Sequence, residues 1–318
     1  MKQKELDEIL DCLGDERRVF YYLKDRYCLD MINWYMENNK RQSLQVRELN
    51  KPPLQRFSTK PIVKNITKRC GNGMLTKDDV SLYWNEGTLA FTLTLDRWGE
   101  GDRDYDQTSR NQQNLVLQIN FDNKHNQEYH RLLKPSDNYG PFEFRGHPIR
   151  RGYRKTLSWV RIDADLSTGE ALIEEVQNDW LRDVNRDLEH VNKHLSKENT
   201  AKPGDVINGI HCEYGDIKEY AEVILKPYKT LWAELSLAAA IRFIRNELGI
   251  SIIYYHTFDT GRKIKKIYDL PPKSMYTSLP KQFGFEVTNE SPMFLQRDKQ
   301  SKRYLQAIKT PQWYCINV

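Results

Sequence analysis

Apolar positions change their spacing in a fixed order over residues 231–287, and this stretch predicts more structure than any other. Apolar side chains recur at helical spacing over 231–248, and Gly249 follows, where the end of a helix favours a residue that can adopt positive φ. Residues 250–255 are β-branched or aromatic and too few for a helix, so they predict a buried strand. A double-proline turn then begins residues 271–287, which predict a short helix and another strand.

Period-two alternation marks the strands in the middle of the chain. Residues 88–96 and 114–121 alternate apolar with mostly polar side chains, as half-buried antiparallel strands do. Residues 158–165 and 171–176 have the same character and are separated by Ser167-Thr168-Gly169, so they predict a β-hairpin. The tail, residues 293–316, contains three short apolar runs and predicts two or three terminal strands.

The N-terminal part has a different pattern. Residues 4–38 carry apolar side chains at helical spacing and are expected to be helical. Prolines punctuate residues 41–70, which we therefore predict to be a loop or an edge segment. These observations divide the chain into a helical and basic segment, residues 1–80, and an α+β domain, residues 81–318.

The predicted fold class is α+β, with a mixed, mainly antiparallel sheet and flanking helices. Residues 180–228 are polar and partly helical, and they form an insertion within the larger domain. Lys202-Pro203-Gly204-Asp205 predicts a loop inside that insertion.

Composition narrows the class of protein. The 318 residues are 39% hydrophobic and 29% charged, which is typical of a globular chain. No apolar run approaches eighteen residues and the charged N-terminus lacks a secretory pattern, so we expect no membrane span and no export. Five scattered cysteines without zinc-finger spacing indicate reduced thiols in the cytoplasm.

Positive charge is unevenly distributed although the net charge is only +5. Nine Lys or Arg residues and the single acid Glu48 lie between Lys40 and Arg69, and a second basic stripe runs from Arg145 to Lys155. Such stripes suit a polyanion, either DNA or RNA or a phosphorylated cofactor. The alternative is a solvated basic surface that acidic segments elsewhere balance.

Residues 172–180, Leu-Ile-Glu-Glu-Val-Gln-Asn-Asp-Trp, carry a moderately specific motif. The string resembles the "EEIQSDW" signature of uncharacterised domains in polyvalent proteins of phages and conjugative elements. The likeness spans residues 157–286 and includes a helix led by Trp232, but Asn178 stands where those domains usually have serine. The resemblance implies a mobile-element setting and carries no established activity.

A second resemblance is to the Gcn5-related N-acetyltransferase (GNAT) superfamily. The predicted order of helix and strands is similar, and Tyr276 followed by Gly284-Phe285 is similar to the superfamily's entry to its last strands, although about four residues longer. The resemblance implies that Tyr276 protonates the departing coenzyme A thiolate and that Glu174 or Glu175 acts as the base.

The likeness to GNAT enzymes departs at the pyrophosphate loop. An "R/Q-x-x-G-x-G/A" loop before the long helix is absent, and about fifty residues intervene. Lys226, Lys229 and Thr230, a possible N-cap, are the candidates for binding the phosphates of acetyl-CoA or another acyl donor by charge.

Two adjacent carboxylates are the candidate base. On a regular strand Glu174 and Glu175 point to opposite faces. A carboxylate buried among apolar neighbours would have its pKa raised towards neutrality, as a base for an amine requires. The alternative is a surface glutamate beside one paired with Arg161 or Arg242.

Further candidates lie at strand ends, where ligands gather in open α/β folds. We predict a substrate-binding cleft lined by Gln177, Asp179, Trp180, Trp232, Tyr255 and His256. The four-residue spacing of His190 and His194 suits a metal ligand pair, but no carboxylate accompanies it, so we expect no metal. A nucleophile elbow, a P-loop and a Gly-x-Gly-x-x-Gly fingerprint are absent from the sequence.

Our leading hypothesis is therefore a GNAT-like acyltransferase. It would move an acyl or aminoacyl group from a thioester or similar donor to an amine by direct attack, in a slot where two neighbouring β-segments splay apart. The alternative is a non-catalytic nucleic-acid-binding protein of a mobile element or a phage–host conflict system.

Overall fold

The computed structural model describes residues 1–14, 18–100, 102–136, 140–144, 146–150, 154–198, 210, 212–267 and 272–318. The strands are β1 Arg18–Tyr22, β2 Ser43–Gln45, β3 Met74–Thr76, β4 Leu89–Trp98, β5 Asn114–Asn120, β6 Thr156–Asp165, β7 Glu170–Gln177, β8 Ile252–His256, β9 Glu286–Thr288 and β10 Trp313–Asn317.

The α-helices of the described residues are α1 Gln3–Leu13, α2 Arg26–Asn38, α3 Gln55–Ser58, α4 Pro61–Thr67, α5 Lys77–Ser81, α6 Arg103–Asp106, α7 Asn123–Leu133, α8 Trp180–Glu198, α9 Tyr214–Glu219, α10 Lys226–Asn246, α11 Phe258–Ile264, α12 Ser278–Phe283, α13 Met293–Arg297 and α14 Lys299–Ala307. Short 3₁₀ helices cover Val46–Asn50 and Lys273–Tyr276, and a π-helical turn covers Tyr220–Ile224. None of these helices is both long enough and apolar enough to cross a membrane.

The architecture is mixed α and β around an eight-stranded sheet in the order β1-β4-β5-β6-β7-β8-β10-β9. The pair β7–β8 is parallel, and the other neighbouring strands of this sheet are antiparallel. The mainly antiparallel α+β class predicted from the sequence is confirmed. A small second sheet pairs β2 with β3.

The two faces of the sheet differ in polarity. The long helix α10 is buried along most of its length and packs on β6 and β7. Phe91 of β4 contacts Tyr228 of α10, and the alternation of a strand places Leu93 on the same face. On the opposite face, Thr94 donates to Gln118 (2.7 Å), so the polar side chains of β4 and β5 satisfy one another.

Several predicted elements are confirmed. The strands predicted over 88–96 and 114–121 correspond to β4 and β5, and the predicted hairpin is β6–β7. The helix predicted over 231–248 is α10, and Gly249 after it has φ +66°. The strand predicted over 250–255 is β8, which begins two residues later.

Other predictions were wrong. Strand β1 interrupts the helix expected over 4–38, because Phe20 and Tyr22 alternate with exposed neighbours and pair with β4. The region 41–70 is largely helical, since Pro61 occupies the start of α4, where a proline costs no hydrogen bond. The tail holds the single strand β10, and residues 293–307 form α13 and α14. The boundary predicted near residue 80 stays a prediction, and β1 joins the main sheet from the N-terminal side of it.

Candidate functional site

The carboxyl end of β7 separates from β8 and opens the sheet. The register of this parallel pair runs from Glu170–Ile252 to Ile173–Tyr255 and ends there, whereas β7 continues to Gln177. On the other side of β7, the pairing with β6 shifts at Glu174, as at a β-bulge. Among the described residues, 174–177 therefore face a break in the strand pairing (the gap), where the buried ammonium of Lys265, and not a strand, meets the carbonyl of Glu174.

Glu174 lies at this bulge and is fully buried among donors. The main-chain N–H of Ser109 donates to one carboxylate oxygen (2.9 Å), and the Ser109 hydroxyl donates to the other (3.0 Å). Nε2 of His256 lies 3.0 Å from the same second oxygen. Lys265, also buried, donates to the main-chain carbonyl of Glu174 (2.7 Å). The carboxylate is thus held in place by three separate segments of the chain.

The pKa of Glu174 is shifted in the direction opposite to the one that we predicted. Burial raises the pKa, but His256, Lys265 and Arg161 outweigh burial and lower it to about 2. A carboxylate with so low a pKa is a weak base. The prediction of a base raised towards neutrality is therefore wrong for Glu174.

Glu175 forms an ion pair with Arg161, which was one of the two structural partners considered from the sequence. Arg161 is buried, donates to the carbonyl of Asp106 (2.7 Å) and stacks over the ring of Trp98 (5.0 Å). Burial raises the pKa of Glu175, but Arg161 and Lys265, with a smaller contribution from His147, hold it below its usual range. Glu175 is therefore a fixed anion as well.

Two tyrosines lie on the β8 side of the gap. Tyr276 belongs to the 3₁₀ helix Lys273–Tyr276, and its ring centroid is 5.8 Å from that of Tyr255. Burial first, and then the charge of Glu175, raise the pKa of both phenols, so both stay protonated. The acidic and phenolic candidates thus lie within electrostatic reach of one another.

A second polar cluster forms where β7 ends. Asp179 accepts hydrogen bonds from Gln177 Nε2 (2.7 Å), Trp159 Nε1 (3.2 Å) and Arg182 (2.6 Å), and it lies 2.7 Å from Nδ1 of His147. The sequence placed His147 in a basic stripe, and no spacing or motif linked it to Asp179, which is 32 residues away.

A cavity of about 830 Å³ lies over the polar face of the sheet beside this cluster. His147, Trp98 and Gln118 are among the residues that line it, together with Asp96 and Arg150. Gln118 donates to Asp96 (3.1 Å) and to the carbonyl of Pro148 (3.0 Å), which fastens the loop around His147 to the sheet. Of the Asp179 cluster, His147 reaches the wall of this cavity, and the side chains around it are polar.

Two of the candidate substrate-binding residues, Trp180 and Trp232, pack against hydrophobic side chains. Trp180 is buried against Phe142 and Tyr129 (ring centroids 5.3 and 5.1 Å), and its indole N–H donates to Tyr220 (2.8 Å). Trp232 lies partly buried on α10 and packs against the main hydrophobic core. Among the described residues, neither indole forms a hydrogen bond with Glu175.

The candidate phosphate-binding residues lie on α10 in a different context from the one expected. Thr230 is not an N-cap, because α10 begins at Lys226 and continues from the π-helical turn before it. The N–H of Lys229 donates to Leu225 O (2.9 Å), and its ammonium donates to Asn185 (2.9 Å). The start of α10 therefore offers an anion fewer free N–H groups than a capped terminus would.

No group of three or more potential metal ligands occurs among the described residues. His125 is buried and stacked on Phe121 (3.5 Å), and burial lowers the pKa of its imidazole to about 3. The side chain of His194 lies outside the described residues.

The basic stripes are partly neutralised. Lys60 pairs with Asp25 (3.0 Å), and Arg41 pairs with Glu48 (2.9 Å). The remaining cations of the first stripe that are exposed and form no ion pair with a described residue are Lys40, Arg47, Lys51, Lys64, Lys68 and Arg69. In the second stripe, Arg145 and residues 151–153 lie outside the described residues.

Comparison of the chain with family models, with curated proteins and with solved structures found no match.

Proposed function

We propose that this protein is an N-acyltransferase whose acyl donor binds in the gap between β7 and β8. The observation that carries the proposal is the parallel strand pair that separates after Ile173 and Tyr255 and leaves Glu175 between cations and two phenols. This arrangement agrees with the GNAT-like order of elements expected from the sequence, and a GNAT-like fold is part of the proposal.

The edge of β7 supplies the recognition of the donor. The ammonium of Lys265 donates to the carbonyl of Glu174 (2.7 Å), so this carbonyl is already satisfied and a donor arm has to displace the lysine to pair there. An acyl thioester carried on an extended arm with amide groups could pair with such a strand edge. The exposed ammonium of Lys226 at the start of α10 is the proposed contact for the phosphates of acetyl-CoA.

The proposed chemical roles differ from those expected from the sequence, in which Glu174 or Glu175 was the base. Tyr276 is the proposed proton donor to the departing thiolate, as the resemblance to GNAT enzymes implies. Burial keeps its phenol protonated but also makes it a weaker acid than a free tyrosine, so the donation relies on its position beside the thiolate. Glu174 orients His256 and Ser109, and Glu175 holds Arg161 and supplies a fixed negative charge. Neither carboxylate takes the proton of the amine in this proposal.

Thiol release from acetyl-CoA, measured with a panel of primary amines, tests the proposal. We expect turnover by the unaltered chain and a fall in kcat of about 100-fold in Tyr276→Phe, in line with the usual contribution of a positioned acid. Tyr21→Phe, which removes the hydroxyl of an exposed tyrosine on β1, is the matched control and should leave kcat unchanged. Absence of acetyl-CoA binding at millimolar concentration in isothermal titration would remove the donor.

Nucleic-acid binding is the second candidate, favoured by the exposed cations of the Lys40–Arg69 stripe. Six cations that each displace a counterion would give a slope of about −5 for log K against log salt concentration. Filter binding at two salt concentrations measures this slope. The double variant Lys64→Glu and Lys68→Glu should bind nucleic acid more weakly and give a shallower slope. A salt-independent signal would exclude this role.

A further inference from the structure

We propose that His147, oriented by Asp179, is the general base of this protein and takes the proton of the acceptor amine in the cavity over the polar face of the sheet. The inference rests on the proposed acyl transfer, and it assigns a role that neither glutamate can fill.

The geometry fixes which nitrogen of His147 is the basic one. Nδ1 lies 2.7 Å from Asp179, whose side chain is only 3% exposed, and 3.3 Å from Nε2 of Gln177, so the carboxylate is the nearer partner. Because Trp159, Gln177 and Arg182 all donate to Asp179, the aspartate stays an anion and accepts the Nδ1 proton. The Nδ1–H tautomer leaves the lone pair on Nε2, as in an aspartate–histidine dyad.

The ring is held rigidly and yet remains accessible. Its centroid is 4.6 Å from that of Phe144, 5.3 Å from that of Trp159 and 6.2 Å from that of Trp98. The side chain of His147 keeps 21% of its surface exposed and lines the 830 Å³ cavity. Nε2 makes no hydrogen bond with any residue that the structure describes, so it is available to a substrate.

Asp179 is suited to a positioning role because it remains ionised. Burial raises its pKa, but the hydrogen bond and the charge of His147, with further hydrogen bonds from Gln177 and Trp159, lower the pKa below its usual range. Contacts link the dyad to Glu175: the ring of Trp98 lies 6.2 Å from that of His147 and under the guanidinium of Arg161 (5.0 Å), which pairs with Glu175.

The reaction balances with these groups and solvent water. The neutral amine nitrogen attacks the thioester carbonyl carbon, so a C–N bond forms and the C–S bond breaks. The proton that the nitrogen loses goes to Nε2 of His147, and the thiolate takes a proton from the hydroxyl of Tyr276. Transfer of a proton from His147 to the tyrosinate through water restores both residues, and the products are an amide and a free thiol.

Two readouts test the inference, and the first does not depend on activity. Nitrogen-15 NMR of the histidines, with His147→Gln to assign the signal, should show a protonated Nδ1 and an unprotonated Nε2. Asp179→Asn should shift this tautomer balance towards Nε2–H. A wild-type protein whose His147 is protonated at Nε2 would overturn the inference even if it transferred acetyl groups.

The second readout is turnover of acetyl-CoA with a polyamine, a lysine peptide and an amino sugar. We expect His147→Gln to lower kcat about 100-fold with the KM for acetyl-CoA unchanged, and Asp179→Asn to lower kcat by a smaller factor. His130→Gln, at an exposed histidine outside the cavity, is the matched control. Unchanged kcat in His147→Gln refutes the base and leaves the acyltransferase standing, whereas an inactive wild-type protein refutes the acyltransferase and the base together.

Discussion

Replacing Glu174 by glutamine tests the ion network at the centre of the molecule. The carboxylate is fully buried and accepts hydrogen bonds from Ser109, and it lies beside His256 and Lys265. Its pKa falls from the ordinary 4.5 to about 2, which corresponds to about 3 kcal/mol of stability from its ionisation. Glu174→Gln should therefore lower the free energy of unfolding at neutral pH by about 3 kcal/mol.

The sign of the pH dependence follows from the lowered pKa. The stabilisation is fully present above the unfolded pKa of 4.5 and is lost as the pH falls towards 2. The difference in free energy of unfolding between the wild-type protein and Glu174→Gln should shrink by about 2 kcal/mol between pH 7 and pH 3. The other carboxylates titrate in both proteins, so their contribution cancels in this difference. Urea unfolding at a series of pH values measures this difference.

Glu8→Gln, at an exposed glutamate of α1, is the matched control and should follow the wild-type curve. A Glu174→Gln variant as stable as the wild-type protein at pH 7 would contradict the reasoning. So would a difference that stayed constant down to pH 3, because it would mean that the loss came from packing and not from charge.

Two further substitutions test the main hydrophobic core and the packing beside His256. Leu235→Ala removes a fully buried side chain of α10 and should lower the free energy of unfolding by about 2–5 kcal/mol, whereas Leu82→Ala, at an exposed leucine, should change it little; chemical denaturation measures both. Gly261→Ala would place a Cβ 3.0 Å from the Cβ and Cγ of His256, so its thermal midpoint should fall, and Gly215→Ala, where a Cβ meets nothing within 4 Å, should not show this loss. Equal midpoints for the two glycine variants would mean that the His256 ring can move aside at no cost.

The sequence predicted the elements whose pattern is local. Leu93 and Leu117 belong to runs in which every second residue is apolar, and such runs define β4 and β5 without any knowledge of the fold. In β1 the spacing of Val19 and Tyr22 also fits a helix, and only pairing with β4 decides between the two. In α13 the adjacent residues Phe294 and Leu295 are both buried, which a helix packed on the sheet allows and a half-buried strand would not.

Residues of the candidate site were harder to predict from local sequence patterns than the strands and helices were. Glu174, Tyr276 and His256 could be selected because they stand in or beside recognisable segments. Ser109 and His147 could not, because each reaches its partner across a long stretch of chain and belongs to no motif. The low pKa of Glu174 arises from partners that the fold assembles, so residue type and neighbours along the chain predicted the wrong direction.

Crystals grown with acetyl-CoA would test the proposed donor site most directly. We expect electron density for the acyl arm beside the carboxyl end of β7, with the thioester between Glu175 and Tyr276. Density for the ligand elsewhere on the molecule, or none at millimolar acetyl-CoA, would contradict the account.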